Sequence, residues 1–413
     1  MSGERLIHRR AVLKAAALGA GSLVLAACGT PPGTGAPETS APTSTEGAGS
    51  PPPPSATPNP TTTPAPTLAP LRQRIARLLV VGFRGLTLSA DDPIARAIAD
   101  DGLGGVILFD RDEVVGVRNV ASQDQVASLV DSLRALAPNR ELIVAIDQEG
   151  GKVTRLSPKY GFPSVASEEA IGGAGDAAVQ AWAEGIAGTL AGVGVNLNFA
   201  PVVDLNVNPT NPAIGALDRA FSADPAVVSR DAEIETTAHR DRDIKTALKH
   251  FPGLGSATAN TDFGVADVTK TWHDDELDPY RDLLGLGLVD VIMAAHVVNG
   301  QIDASAPASL SHKTVTGLLR GKLGWDGVVA TDDMGAAAIR EAFGFRDAIG
   351  LALNAGDDLL LFANQHDYDA KLATKVIDAI EGLVADGTVA ESRIDEAVAR
   401  VSGLFDAPGA DPG

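Results

Sequence analysis

KHFPGLG at residues 249–255 and VVATDDM at residues 328–334 are the two stretches that decide the fold of this chain. In each stretch a short apolar run is joined directly to ionisable groups. This pattern is typical of an α/β barrel, in which dry strands carry polar side chains to the mouth of the barrel. The two stretches therefore indicate an enzyme.

Apolar runs with the character of β-strands recur along most of the chain. Most are continuous rather than alternating, as expected of strands that are buried on both faces. Stretches of helical period lie between several of them, for example at residues 126–136 and 179–190. The alternation predicts a parallel sheet, and eight such units favour a closed (β/α)₈ TIM-type barrel over an open doubly wound sheet. The runs are residues 78–83, 105–109, 142–147, 195–201, 246–250, 289–296, 327–332 and 359–362.

The N-terminus has the features of an export signal. The twin arginine Arg9-Arg10 precedes an apolar stretch that is too short to span a membrane, and small residues precede Cys28. Cys28 is the only cysteine of the 413 residues and stands where bacterial lipoprotein precursors are lipidated. Residues 1–28 are therefore predicted to be a twin-arginine lipoprotein signal peptide. The protein is expected to be exported and lipid-anchored on the outer face of the cell membrane.

Composition divides the remainder of the chain. Residues 29–70 are dominated by Pro, Thr, Ser, Gly and Ala without apolar periodicity, which predicts a disordered tether. Residues 71–405 are predicted to form the barrel, and residues 406–413 a flexible tail.

The charge of the chain limits its partners. The formal net charge is −20, and residues 1–28 contribute positive charge, so the rest of the chain is more acidic still. Such a surface repels nucleic acid and anionic lipid headgroups, so we expect a monomer without nucleic-acid partners whose only membrane attachment is its lipid. The histidines lack ligand spacing, and Cys28 is assigned to the lipid, so neither a metal nor a cofactor is expected.

Charged residues stand at or just past the ends of five of the apolar runs. In a barrel those ends share one rim. Charges in a poorly solvated cleft cost free energy unless they are paired or used, so the pattern indicates a functional rim. The residues are Asp147, Asp204, Lys249 with His250, His296, and Asp332 with Asp333.

These motifs make residues 71–405 resemble the family 3 glycoside hydrolases, in particular the single-barrel bacterial β-N-acetylglucosaminidases. The resemblance implies that Asp332, the first Asp of the Thr-Asp-Asp run, is the nucleophile of a retaining reaction. Asp333 is expected to be its electrostatic or hydrogen-bonding neighbour, because adjacent residues of a strand point in opposite directions.

The resemblance also implies a set of sugar-binding residues. Asp147 and Arg155 lie in a stretch similar to the sugar-binding strand of the family, where a carboxylate can accept two hydroxyl hydrogen bonds. Arg219 takes the place of another sugar-binding arginine, and Lys249 with His250 forms the Lys-His pair that binds the sugar.

Two further rim residues are given weaker roles. Asp204 lies in a stretch similar to the family, yet it is expected to brace a loop rather than to catalyse. His296 closes its strand as in the family, and it is as readily a satisfied buried histidine as a contact to ligand.

The acid/base residue is where this chain departs from the family pattern. Related enzymes carry Gly-His-Gly followed by Asp-Ser-His or similar, and the final histidine protonates the leaving group. Here the loop reads GLGSATANTD, so that Asn260 replaces the orienting aspartate and Asp262 replaces the histidine. Asp262 is expected to be the acid/base carboxyl, with a pKa raised by closure of the loop or by the nucleophile. The alternative is that Asp262 is a solvated turn residue.

Glycines 253, 255 and 264 are expected to let this loop close. The expected reaction is hydrolysis, rather than phosphorolysis, of terminal non-reducing β-N-acetylglucosamine from peptidoglycan-derived saccharides. Two alternatives remain from the sequence: a catalytically silent sugar-binding lipoprotein, and a family 3 β-glycosidase acting on another sugar such as glucose or xylose.

Overall fold

The computed structural model describes residues 68–112 and 114–405. The predicted signal peptide with Cys28, nearly all of the predicted tether and the tail at residues 406–413 lie outside the described residues. Within the described ranges, no helix is long and apolar enough to cross a membrane.

Eight parallel strands form a closed barrel, which confirms the predicted fold. Each strand pairs with its neighbours in sequence, and the first strand pairs with the last through Leu79 and Leu360. The ring closes between the last two strands, where Ala330 bridges Leu359. In chain order the strands are β1 Leu79–Gly82, β2 Gly105–Ile107, β3 Ile143–Ile146, β4 Leu197–Asn198, β5 Lys245–Phe251, β6 Val291–Ala294, β7 Val328–Thr331 and β8 Leu360–Phe362.

Burial on both faces explains why the strands have continuous apolar sequences. Every residue of these strands is buried except Lys245, which begins β5. The observed strands are mostly shorter than the predicted runs, most of all β4, because the chain leaves the ladder at its ends. Pro201, at the end of the predicted fourth run, has no N–H to give to a ladder.

Helices surround the barrel and shield its outer face. Helix α3 illustrates how they form: the Ser122 hydroxyl accepts a hydrogen bond from the Gln125 N–H, and Val126, Leu129 and Leu133 are buried on one side. The helices are α1 Leu71–Ala76, α2 Pro93–Arg96, α3 Gln123–Ala135, α4 Glu168–Ile171, α5 Asp176–Val193, α6 Pro225–Arg240, α7 Asp278–Gly285, α8 Ala337–Arg340, α9 Phe345–Ala355, α10 Leu372–Ala385 and α11 Glu391–Gly403, with π-type turns at Ala97–Asp101 and Lys313–Arg320 and 3₁₀ turns at Pro158–Tyr160, Gly215–Leu217, Asp274–Leu277 and Ala308–Leu310.

Three small two-stranded ribbons lie beyond the C-terminal ends of the barrel strands. Arg111–Asp112 pairs with Gly116–Val117 after β2, and Gln148–Gly150 pairs with Val153–Thr154 after β3. The third ribbon joins the segments after β5 and β6. These ribbons extend the wall above the mouth of the barrel, where the polar residues of the rim lie.

Candidate active site

A cavity of about 270 Å³ opens at the C-terminal ends of the strands. It brings together every residue that the sequence predicts to catalyse or to bind sugar. Residues from the ends of β3, β5 and β7 meet there with residues from two loops. The predicted residues that line it are Asp147, Arg155, Arg219, Lys249, His250, Asp262 and Asp332.

A buried network of ion pairs forms one wall of this cleft. The Lys249 Nζ lies 2.9 Å from the Asp147 Oδ1 and 2.6 Å from the Glu149 Oε1. The Arg219 guanidinium holds Glu149 through two parallel bonds of 2.7 and 2.8 Å. Burial alone would raise the pKa of Glu149, but Arg219 and then Lys249 lower it below its ordinary value. The network therefore remains ionised although it is dry.

The same pairs determine the protonation of Asp147 and Lys249. Burial would raise the pKa of Asp147, yet the charges of Lys249 and Arg155 lower it. Burial would lower the pKa of Lys249, and the carboxylates of Asp147 and Glu149 raise it. Both groups are charged at neutral pH, as binding of sugar hydroxyls requires.

Arg219 lies in the cleft, but most of its donors are occupied by protein. Besides the two bonds to Glu149, its Nη1 donates to the Ala213 carbonyl at 2.8 Å. A guanidinium has five N–H groups; three are used here and a fourth, on Nη2, lies near the His250 Nε2 at 3.4 Å, so one remains for a ligand. Its first role is to neutralise Glu149, which the sequence argument did not foresee.

Arg155 differs from Arg219 because its donors are largely unused. The Arg155 Nη2 lies 3.4 Å from the Asp147 Oδ2, and its Nε is buried without an acceptor among the described residues. The guanidinium carbon lies 5.2 Å from the centre of the Phe109 ring, which orients the group over the cleft. Of the two predicted arginines, Arg155 is the one arranged to meet a ligand.

His250 is oriented by Asp204. The His250 Nδ1 lies 2.7 Å from the Asp204 Oδ2, and the Asp204 Oδ1 accepts the Leu254 N–H at 2.6 Å. Asp204 therefore braces the loop that follows β5, as its sequence indicates, and also fixes the imidazole ring. The His250 Nε2 is left facing Arg219 at 3.4 Å.

Asp332 is placed on the rigid end of β7. Its backbone N–H donates to the Ala294 carbonyl of β6 at 3.0 Å, and its Oδ1 accepts the Asp333 N–H at 2.8 Å. Burial would raise the pKa of Asp332, but the imidazoles of His296 and His250 lower it below its ordinary value. Asp332 is therefore an ionised carboxylate in the cleft, and no Lys or Arg of the described residues forms an ion pair with it.

Asp333 and His296 fix this strand end. The Asp333 Oδ1 accepts the N–H groups of Gly335 and Ala363 at 3.0 and 2.8 Å, which ties β7 to the end of β8. Burial, opposed by these bonds, raises the pKa of Asp333 to about 6. Both nitrogens of His296 have partners, the Ser309 hydroxyl and the Asp333 carbonyl. His296 is thus a satisfied buried histidine, which decides between its two predicted roles.

The loop after β5 brings Asp262 into the cleft. The carbonyl groups of Thr261 and Asp262 accept N–H groups from Ala338 and Ala337 of α8 at 3.1 and 3.2 Å. The Asn260 Oδ1 accepts the Asp262 N–H at 2.9 Å, so Asn260 orients the Asp262 backbone rather than its carboxyl. Asp262 is an exposed residue at the rim of the cleft, where partial desolvation and then the charge of Asp332 raise the pKa of its carboxyl. Asp262 therefore holds a proton to a higher pH than an ordinary aspartate.

Two of the loop glycines, Gly253 and Gly255, are required by close packing of the loop. Gly253 has a φ of +128°, and a Cβ there would lie 2.5 Å from the Glu276 Oε2. A Cβ on Gly255 would overlap the Leu205 carbonyl oxygen. Both positions therefore need glycine in this loop conformation. A Cβ on Gly264 would have no such neighbour within 4 Å.

A model of the glycosyl hydrolase family 3 N-terminal domain matches residues 70–404. The chain is a family 3 glycoside hydrolase. Its cleft lies at the C-terminal end of the barrel, where barrel enzymes have their active sites, and is lined by strand ends and the loops that follow them.

Relatives of this family 3 hydrolase include several named as hexosaminidases. A protein named Beta-hexosaminidase from Xylella fastidiosa (strain M23) is 36% identical over 315 residues, which cover 74% of this chain and 87% of that protein. A family 3 β-N-acetylglucosaminidase from Paenibacillus sp. str. FPU-7 superposes with a TM-score of 0.74 at 34% identity, covering 83% of this chain and 64% of the other. A β-N-acetylhexosaminidase from Beutenbergia cavernae DSM 12333 gives 0.73 at 33% identity, covering 82% and 98%.

Sequence reasoning missed the central carboxylate of this hydrolase. Glu149 holds Lys249 and Arg219 together, yet the resemblance to the family does not single it out. Its position two residues after Asp147 was a usable signal, because residues i and i+2 of an extended segment share a face. Phe263 and His366 also line the cleft, but each comes from a loop, where no strand period could reveal it.

Three or more metal-ligating side chains do not converge anywhere in residues 68–112 and 114–405. We call the wall of the cleft that is formed by Asp147, Glu149 and their cations the strand-end wall. Its two carboxylates are neutralised by Lys249, Arg155 and Arg219.

Proposed function

We propose that this chain is a retaining exo-β-N-acetylglucosaminidase in which Asp332 is the nucleophile and Asp262 the general acid/base. One observation carries the proposal: two carboxyl groups in one cleft have pKa values shifted in opposite directions, that of Asp332 downward and that of Asp262 upward. Pairs of this kind assign a nucleophile and an acid in glycosidases.

The proposed reaction has two steps. In the first, the Asp332 carboxylate attacks the anomeric carbon, while Asp262 gives its proton to the glycosidic oxygen and the leaving group departs. In the second, the Asp262 carboxylate takes a proton from water, which attacks the same carbon and releases Asp332. A carboxylate in this position repels phosphate, so water is the expected second substrate.

The strand-end wall supports a role in holding the terminal sugar. Asp147, Lys249 and Arg155 line the cleft, and the Arg155 Nε has no acceptor among the described residues. Relatives named as β-hexosaminidases and β-N-acetylglucosaminidases support N-acetylglucosamine as the sugar. The proposed substrates are peptidoglycan-derived saccharides.

The proposed setting of the enzyme rests on the N-terminal sequence alone. We propose that it is exported and lipid-anchored through Cys28. Fractionation of cells that express the chain tests this proposal: the wild type is expected with membranes, whereas Cys28→Ser is expected in the soluble fraction. Equal distribution of the two proteins would contradict it.

The direct test of activity uses 4-nitrophenyl β-N-acetylglucosaminide. The wild type is expected to release nitrophenolate, and Asp332→Ala is expected to lose release. The Asp262→Asn variant should keep the first-step release, because nitrophenolate needs little protonation to depart, and should turn over more slowly because the second step loses its base. A folded wild type without release would favour a different sugar or a silent binder, and 4-nitrophenyl β-glucoside and β-xyloside distinguish those two outcomes.

A further inference from the structure

A second large cavity lies at the opposite end of the barrel from the active site. Its volume is about 790 Å³, and it opens below the N-terminal ends of β1 to β5. The residues around it precede the strands, whereas active-site residues follow them. We call it the basal cavity, and its charged lining residues are Arg77, Arg134, Arg140, Glu141, Arg242, Asp243 and Lys245.

The basal cavity is positively charged in an acidic protein. Five of its lining residues are Arg or Lys and two are Asp or Glu, whereas the chain as a whole carries −20. The only ion pair among them joins Arg134 to Glu141 at 3.5 Å. Within the described ranges, no carboxylate pairs with Arg77, Arg140 or Lys245.

Two of these arginines are partly removed from water without compensation. Burial lowers the pKa of Arg77. Burial, and then the neighbouring charge of Arg77, lowers the pKa of Arg140 to about 10. The two guanidinium groups therefore repel each other in a setting where their charges are incompletely solvated.

Hydrogen bonding in the cavity is also incomplete. Arg140 donates to the Ile98 carbonyl at 3.2 Å, but its Nη1 is buried without an acceptor among the described residues. The buried Nε of Arg134 likewise has none. Buried donors of this kind are costly unless an acceptor reaches them. An anion would supply the acceptor that these donors do not find among the described residues.

We propose that the basal cavity binds a phosphate-bearing ligand through Arg77 and Arg140. The guanidinium fork matches phosphate oxygens in pairs, and two adjacent forks favour a doubly or multiply charged group. The volume lies in the range of small-molecule sites. Ile143, Val195 and Phe405 add apolar surface for an organic part of the ligand. This site is independent of the hydrolytic one.

Barrel ends opposite the active site ordinarily serve stability. A stabilising network would pair its cations with carboxylates, as Glu149 does in the active site. The basal cavity has an excess of cations, and that difference points to a ligand from outside the barrel.

Calorimetric titration of the full-length protein with inorganic pyrophosphate tests the proposal. The wild type is expected to bind, and the Arg77→Gln/Arg140→Gln variant, which keeps side-chain amides in place of the charges, should bind at least tenfold more weakly. Arg96→Gln is the matched control, because Arg96 is exposed, pairs with Asp91 and does not line the cavity. All three proteins should hydrolyse 4-nitrophenyl β-N-acetylglucosaminide equally if the wild type does.

Absence of pyrophosphate binding by the wild type, or equal affinity in the double variant, would overturn the proposal. Thermal unfolding without ligand keeps the test informative: removal of two repelling charges should leave the melting temperature of the double variant equal or higher. A markedly lower melting temperature would show that Arg77 and Arg140 stabilise the barrel end, and would also count against a ligand site.

Two further arms identify the source of the phosphate. Vesicles of phosphatidylglycerol and phosphatidylcholine should bind the wild type more tightly than the double variant if the ligand is a lipid headgroup. Equal vesicle binding, with a difference retained for pyrophosphate, assigns a soluble phosphate compound. The chain continues after Phe405 with Asp406 and Asp411. If pyrophosphate binds only after Asp406→Asn/Asp411→Asn substitution, the cavity serves the chain's own carboxylates, and the proposal fails.

Discussion

The two walls of the active-site cleft are built on opposite principles. On the strand-end wall, Asp147 and Glu149 are each held by cations, so their charges are fixed. Residues 260–263 of the loop after β5 form the second wall, which we call the loop wall. There the Asp262 carboxyl receives no hydrogen bond from the described residues, and only the Asp262 backbone is held. Donors to a carboxylate favour its ionised form, so a carboxyl without them keeps its proton longer. One wall is suited to binding polar hydroxyls, the other to proton transfer.

The largest effect is expected from the loss of Asp332, and a substitution of the adjacent Asp333 provides the comparison. Asp332→Ala should lower kcat/KM for the 4-nitrophenyl substrate by about four orders of magnitude, because the nucleophile is lost. Asp333→Asn is the control, since its amide oxygen can still accept the N–H groups of Gly335 and Ala363. Comparable losses in the two variants would remove the distinction between nucleophile and brace.

A second prediction compares two buried carboxyls: Glu149, which is paired with cations, and Glu168, which is not. Glu149→Gln leaves Lys249 and Arg219 without their shared partner, so it should lower the free energy of unfolding by about 3–5 kcal/mol and weaken sugar binding. Urea denaturation and KM measure the two effects.

Glu168 provides the matched control for Glu149. It is equally buried and accepts the Val202 N–H at 3.1 Å, but burial and then the charge of Glu235 raise its pKa well above the ordinary value. Glu168 therefore keeps its proton to a higher pH than an ordinary glutamate, and Glu168→Gln should destabilise the protein much less than Glu149→Gln. Equal destabilisation by both substitutions would contradict the assignment of charge.

A third prediction tests the packing of the loop wall. Gly255→Ala forces the loop away from Leu205, which should cost about 1–3 kcal/mol of stability, as overpacking does, and should lower turnover about tenfold through displacement of Asp262. Gly264→Ala, where a Cβ meets nothing, should leave both unchanged. If Gly264→Ala were the more damaging, the loop would depend on a hinge rather than on close packing.

The smallest effect is expected in the pH profile. Hydrolysis of a substrate with a sugar leaving group requires Asp332 ionised and Asp262 protonated. It should therefore fall in acid below the depressed pKa of Asp332, and fall on the alkaline side above the raised pKa of Asp262. In Asp262→Asn the alkaline limb assigned to Asp262 should disappear from kcat/KM. A persistent limb would assign it to another group.

The strand-end wall was largely predictable from the sequence, and the loop wall was not. Strand ends of a barrel converge by topology, so apolar runs that end at Asp147, Lys249 and Asp332 already place those residues together. The role of Asn260 depends on a backbone turn, and the close packing of Gly255 depends on the carbonyl of Leu205, which is distant in sequence. Neither feature produces a periodic pattern of residues that could be recognised in the sequence. The basal cavity escaped prediction for the same reason, since its cations come from segments at the starts of three different strands, β1, β3 and β5.

A leaving-group series tests whether Asp262 supplies the proton to the leaving group. Rates of Asp262→Ala and of wild type would be compared on β-N-acetylglucosaminides whose leaving groups range from dinitrophenol to a second sugar. The account predicts near-wild-type release of dinitrophenol in the first step and a loss of about 10²–10⁴-fold for the sugar leaving group, with azide restoring the second step. A uniform loss across the series, or none for the sugar, would contradict it.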